Sequence, residues 1–495
     1  MGIMYRGIHS DTFGLAVQTD PNVLPPITLN TIDVPGLPGS YYVNAKIGMR
    51  PIPLTIGFVG ADLKDYESRL RALAGWLSPQ KGLGEYISDN EPDKVYYAVL
   101  SDQNIQRIKE IARVGQGTLT LMAPDPYAYG PEKTQTINDP NDEDEANPVV
   151  TNGGTDNTYP IFTAEVLKPL TFLQIVKDDA YMQVGQPVDV DKEEAPEFES
   201  VLSDNLSSLA NWTAITGGES LPDGIVGGSM TTAKNSSGDP YAFTPSSYGT
   251  NPNGWVGPAV KRALSEAVQD FRVAISMSVL NKMVGVGKVA IFLADDDDNI
   301  FGGLWMEDTT ASVDLNHARV ALFDDQLNKK FLIDTTGERF NVYNDFNGLL
   351  RLERRGNQFF AYSSQVDPVT GVHSARDTAP VFIDSDGLYQ AQLSQVIIYI
   401  AKAKDYKTFT QTANDLSVFR INDITANQVP YIADTADLIT FDHRIKELML
   451  NGDPGLMAEK DIGATFFPFS PGKTQLIVNP ADAVKLTAQW RGVDL

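Results

Sequence analysis

The chain reads as all-β and multidomain, with one amphipathic helix, on three observations. Short β-patterned runs alternate with turn clusters almost throughout, a single stretch switches to helical spacing, and 495 residues exceed what one hydrophobic core organises. In chain order, the turn-rich Val34-Pro35-Gly36-Leu37-Pro38-Gly39-Ser40 precedes a strand over 41–47. Leu63, Tyr66, Leu70, Leu73, Ala74 and Leu77 then recur at spacings of three and four, which predicts a helix over 62–77 ended by Ser78-Pro79. Its apolar stripe would pack on the neighbouring sheet, leaving Arg69 and Arg71 as solvated charges or free for a neighbouring molecule. Strands follow at 96–100 and 117–122, and Pro124-Asp125-Pro126-Tyr127 closes the segment.

Residues 134–158 are polar and acidic, most densely from Asp139 to Glu145, and read as an exposed loop. Two strands, 161–166 and 171–176, are expected around a turn at Lys168-Pro169, and the β-pattern returns at 437–442, 447–452, 474–478 and 484–490. Each flank has too few strands for a sandwich, so the two are expected to combine. Between them, many short strands within 200–424 are enough for a complete domain inserted at the acidic 189–199 stretch.

Composition narrows the chemistry. Cysteine is absent, which excludes disulfides, thiolate metal sites and a cysteine nucleophile. The 39 basic against 64 acidic residues, a net charge of −25, argue against specific nucleic-acid binding. No apolar run approaches the roughly 18 residues of a membrane helix, and the first residues show no basic-then-apolar signal pattern. We therefore expect a soluble chain without membrane insertion.

Two distant stretches carry a family resemblance: Tyr5-Arg6-Gly7-Ile8-His9-Ser10-Asp11-Thr12-Phe13-Gly14-Leu15 near one end and Phe466-Phe467-Pro468-Phe469-Ser470-Pro471-Gly472-Lys473-Thr474 near the other. With the 35–39 turn, the 63–77 helix, Ala123-Pro124-Asp125-Pro126-Tyr127, Val150-Thr151-Asn152-Gly153-Gly154 and Tyr159-Pro160-Ile161-Phe162, the chain resembles the distal tail proteins of long non-contractile-tailed bacteriophages. The resemblance implies a ring-forming module over 1–133, a discontinuous galectin-like β-sandwich over 134–196 and 426–495, and a structural role without catalysis. It implies a homohexamer at the distal end of the tail in the virion, contacting the tail tube protein, the tail-associated hub or tip protein and, in many members, receptor-binding proteins. An acidic lumen in such a ring would keep passing DNA off the wall. Pro35, Gly36, Gly39, Gly153, Gly154, Pro471 and Gly472 are expected to set turn conformations.

The remaining 197–425 resembles the concanavalin A-like or laminin G-like jelly rolls inserted in longer members, on Asp204-Asn205-Leu206 with Asn211-Trp212-Thr213, Gly254-Trp255-Val256-Gly257-Pro258, and two β-runs joined at Gly356-Asn357. Such modules imply a host cell-wall glycan as ligand. Sugar binding needs an aromatic plate and planar polar groups, which Trp255, Tyr241, Tyr248, Trp305, Asn251, Asn253 and Asp239 could supply. Trp212 and Trp305 also read as core aromatics, and Trp255 stands between the two roles. Asp295, Asp297 and Asn299 could offer oxygens to Ca²⁺. Ile300 stands where a calcium loop needs Gly and Met306 where it needs Glu, so a solvated acidic turn is the first reading and no cofactor is expected. No alternating carboxylate pattern suits a glycosidase, Glu353 being flanked by arginines. His9, His317, His373 and His443 show neither metal spacing nor a nucleophile partner. The insertion is thus read as a glycan binder, with a docking platform for other baseplate proteins as the alternative and a glycan-cleaving enzyme as the remote one.

Overall fold

The computed structural model describes residues 2–19, 24–36, 38–107, 114–142, 144, 146–178, 180–282 and 285–495; the readings at Leu37, Glu143 and Glu145 fall outside them. Strands dominate, and Leu63–Leu77 is the only α-helix among the described residues. The all-β reading with a single helix therefore holds.

Near the N-terminus, strand Glu91–Arg107 joins two layers. Its first half pairs with Gly84–Ser88 and its second half, from Val99, with Val114–Ala123, with a bulge between Leu100 and Asp102 just past the change of partner. Val114–Ala123 pairs on its other side with Arg50–Val59, and Arg50–Val59 pairs in turn with Leu15–Thr19. Alternation along these strands turns Leu54, Ile56, Phe58, Leu119 and Leu121 into one core. The helix is capped by Asp62, whose Oδ1 accepts from the Asp65 N–H at 2.8 Å.

Tyr66, Leu73 and Leu77 pack inward as the spacing predicts, but Ala74 and Leu63 are exposed and Trp76 is buried instead. Trp76 stacks on Phe13 at 4.7 Å and donates its indole N–H to the Tyr5 carbonyl at 2.9 Å, so a second contact from the first strands widens the buried face. Arg69 is not free: it pairs with Asp65 at 2.9 Å, one helical turn back, while Arg71 stays exposed.

The two flanking segments share one core. Strand Ala128–Asn138 pairs with Val484–Asp494, and Val484–Asp494 pairs in turn with Ile161–Val166 and onward to Leu438–Asp442. A facing sheet is built from Val149–Asn152, Gly472–Asn479, Phe172–Lys177 and Ala180–Gly185. Phe162, Leu173, Ile175, Phe441, Phe469 and Leu486 fill the space between. Two expectations change here. The polar stretch from 134 is strand as far as Asn138, because Val484–Asp494 supplies backbone partners that the local sequence does not reveal. The strands on either side of Lys168-Pro169 do not pair with each other but lie in opposite sheets. Gly36, Gly39 and Gly472 adopt positive φ as expected, whereas Gly153 and Gly154 do not. Gly154 is needed for space: a Cβ there would stand 2.3 Å from the Val493 carbonyl oxygen.

The middle of the chain forms a separate two-sheet sandwich. One sheet contains Phe271–Leu280, Phe346–Arg355, Gln358–Val366 and Thr410–Ile421; the other contains Gly287–Ala294, Ile300–Asp308, Asn316–Phe323 and Leu393–Ala403. Phe243, Phe271, Ile275, Ile291, Leu304, Leu350, Ile398 and Leu416 make its core. The Phe346–Arg355 and Gln358–Val366 hairpin turns at Gly356-Asn357 with Gly356 at φ 58°, the left-handed geometry a two-residue turn demands. Where the chain enters and leaves this sandwich, Glu193–Ala195 and Gln428–Pro430 run parallel and pair with each other.

Candidate functional site

Strand Gly287–Ala294 is buried on both faces. Val289, Ile291 and Leu293 enter the inter-sheet core, while Lys288, Ala290 and Phe292 face outward beside Trp305 and Glu307 of the next strand. Trp305, Phe323 and Tyr399 share that outer face in a second apolar cluster, with Leu221, Val226 and Trp255 packed beside them. Charges placed there lose water and require partners.

Lys288, only 2 % exposed, lies 2.8 Å from Glu307 Oε2 and 3.8 Å from Asp223. Arg319 pairs with Glu307 and, at 2.9 Å, with Asp334. Asp223 sits at φ 69° at the tip of the hairpin made by Ser220–Leu221 and Gly224–Val226, and it also bonds Lys329. Lys329 lies three strands across the sheet from Lys288, so the hairpin arches over the face. Burial pushes the Asp223 carboxyl up, but Lys329, Lys288 and Arg319 outweigh it and hold the group below its ordinary range.

This cluster unites two of the sequence candidates. The Lys288 ammonium lies 4.8 Å from the Trp255 ring centre and 5.5 Å from that of Trp305. Trp305 is 2 % exposed and nearly parallel to Phe323, so it serves as floor, its indole nitrogen without a partner among the described residues. Trp255 is half-buried at the rim. Asn251 supports it by donating to the Trp255 carbonyl at 3.1 Å, and the Asn253 N–H closes the same turn on Asn251 Oδ1.

The other candidates lie apart. Tyr248 is partly buried, its hydroxyl accepting from Gln411 at 2.9 Å. Tyr241, 44 % exposed, stands near the start of strand Pro240–Ser247 in the opposite sheet, and Asp239 is taken up by the Asn235 turn. Trp212 is core, edge-on to Phe243 and bonded to Asp204.

Sequence reasoning passed over Lys288, Glu307, Arg319 and Asp223. The available signal was alternation: Lys288-Val289-Ala290-Ile291-Phe292-Leu293 is apolar on both faces, so a lysine in register with Ala290 and Phe292 is buried and must be neutralised.

The acidic turn closes on itself. Asp295 Oδ1 accepts from the N–H groups of Asp297 and Asn299, at 3.0 and 2.8 Å, and Asp298 pairs with Lys261 at 2.7 Å. Among the described residues, no group of His, Cys, Asp and Glu is arranged to hold a metal ion. Glu353 is clamped by Arg272 at 2.8 Å and Arg355 at 2.5 Å, and these cations outweigh burial to keep it ionised below the usual range. His373 lies against the Tyr362 hydroxyl at 2.9 Å, and His443 against the Phe467 backbone at 2.9 Å.

Residues 9–123 match the family described as phage tail protein RIFT-related domain. No curated protein matches the chain. Among solved structures, the chain is similar to the Dit (gp 19.1) protein of phage SPP1, described as a paradigm of hub adsorption apparatus in phages infecting Gram-positive hosts, with 18 % identity over 37 % of this chain and 74 % of that one and a TM-score of 0.32. It is similar also to the CBM2 module of the evolved Dit of Lactobacillus casei BL23 phage J-1, with 17 % identity over 46 % and 98 % and a TM-score of 0.37. The Bacillus licheniformis beta-glucanase matches at 7 % identity over 46 % and 99 %, with a TM-score of 0.28. Residues 9–123 thus carry a phage tail protein RIFT-related domain.

Proposed function

We propose that this chain is a distal tail protein: a hexameric ring that joins the tail tube protein to the hub or tip protein, with an inserted module that binds host cell-wall carbohydrate. In this reading residues 1–133 build the ring, 134–196 with 426–495 form an outward β-sandwich, and 197–425 are the adsorption module.

One observation carries the ring. Strands Ile27–Asp33 and Ser40–Ile47 pair only with each other among the described residues, and Leu29, Ile32, Tyr41, Tyr42 and Val43 are each more than half exposed. A two-stranded hairpin with apolar residues on both faces is marginal in water, so it requires cover from another chain. A closed ring of identical copies offers that cover at every subunit.

For the insertion, the supporting feature is Trp255. Lys288 lies against its ring, Asn251 and Asn253 shape its loop, and the residue remains partly exposed. Weak binding at each copy would sum to avidity around the ring. Tyr241 and Tyr248 stand outside this cluster and would contact only an extended chain. The docking alternative is favoured by one loop, where Val381, Ile383 and Leu388 are each about half exposed and could seat a receptor-binding protein. We read no catalysis into the module, since Glu353 is neutralised by Arg272 and Arg355.

Pull-down of the full chain on purified host cell walls, beside Trp255→Ala and Trp255→Phe, tests the glycan reading. We expect saturable binding, lost about tenfold or more in the Ala variant and largely retained in the Phe variant. Equal binding by all three chains would reject it.

A further inference from the structure

A cleft of ≈ 480 Å³ opens where the proposed ring module meets the C-terminal sandwich, with no lining residue from the insertion. Its walls come from three segments: Asp125, Tyr127 and Tyr129; Asp156 to Tyr159; and Gln489 to Arg491, with Arg444 at the rim. Alternation along the chain sets Tyr127 and Tyr129 on one side. Their neighbours fix them: the Tyr129 hydroxyl donates to Asp125 at 2.5 Å, and Tyr129 meets Tyr97 edge-on at 5.9 Å. Gln489 is held by Glu132, and Arg491 reaches the Tyr97 hydroxyl at 3.3 Å.

Trp490 backs the cleft while 95 % buried, its ring edge-on to Phe469 at 5.7 Å in the sandwich core. Tyr159, 43 % exposed, presents a ring at the mouth, with Asn157 exposed beside it.

We infer that this cleft is a second ligand site, for a neutral saccharide of a few rings. Aromatic faces suit the apolar faces of sugar rings, and carboxylate and amide groups suit hydroxyls, which donate and accept at once. The volume lies within the ~300–1,000 Å³ of small-molecule sites. A peptide fits less well. Strand Ala128–Asn138 is paired at Tyr129 with both Val95 and Val493, and Val484–Asp494 is paired on both sides from Leu486 to Gln489, which limits the backbone edge open to an added strand. The inference rests on neither the ring nor Trp255.

The test is saturation-transfer NMR of the full chain with cellotetraose, maltotetraose and chitotetraose in turn, together with the ¹⁵N–¹H signal of the Trp490 indole. We expect at least one saccharide to bind saturably and to shift that indole signal. Tyr159→Ala and Asn157→Ala, both at exposed positions, should each weaken binding about tenfold or more, and Trp255→Ala should leave the Trp490 shift unchanged. Absence of binding by all three saccharides, or binding indifferent to Tyr159 and Asn157, overturns the assignment. Loss of self-association in Tyr159→Ala without any saccharide binding would assign the cleft to protein contact instead and equally overturn it.

Discussion

At the scale of single residues, the chain's buried charges are its most sensitive points. Lys288 and Glu307 pair under an apolar cover, and Glu307 also has Arg319, so removing Glu307 leaves the buried Lys288 with only the 3.8 Å approach to Asp223. Glu307→Gln should destabilise the insertion by about 3 kcal/mol in urea unfolding, and the Lys288→Met, Glu307→Gln pair should recover part of that loss. His443 gives a pH signature. Burial pushes its pKa down from 6.5 to about 4, with the Phe467 backbone and Asp442 only partly opposing. The unfolded chain therefore takes up the proton first, and stability present above about pH 6.5 is lost as pH falls toward 4. The melting temperature should drop over that window, and His443→Gln should flatten the slope; an unchanged slope would discount His443 as the cause. Such residues were only half legible. The identities of Trp255 and Trp305 pointed to a site, but Lys288, Glu307 and Asp223 come together through a sheet register and an arching hairpin that no local pattern records.

Elements were read best where their own sequence decides them. The apolar recurrence gave the helix over 62–77, and Gly356-Asn357 gave its hairpin, because a helical stripe and a two-residue turn are local chemistry. Elements that depend on distant partners were read worst: Trp76 is buried by Phe13 and Tyr5, and strand Ala128–Asn138 is held by the last strand of the chain. The hairpin of Ile27–Asp33 and Ser40–Ile47 is the converse, a β-pattern that forms its strands yet buries neither face. Leu29→Asp with Tyr42→Asp should leave the melting temperature of the isolated chain within about 1 °C, since neither side chain is covered, while abolishing self-association in light scattering.

At the scale of the whole molecule, the insertion is tied to its host at two places. Besides the paired entry and exit strands, Arg351 bonds Asp453 at 2.9 Å, and the His373 N–H donates to the Gly452 carbonyl at 3.1 Å. A Cβ on Gly452 would stand 2.0 Å from the Gly371 carbonyl oxygen, which measures how closely the two surfaces meet. The inserted sandwich is therefore held in a set orientation on its host, as the proposed ring would require to present the same face around its rim. The most direct test of this account is the solution mass of the full chain by multi-angle light scattering. The account predicts a species near six times 54.1 kDa that falls to the single-chain mass in the Leu29→Asp, Tyr42→Asp chain. A parent chain that stays monomeric at all concentrations, or a hexamer indifferent to those substitutions, would contradict it.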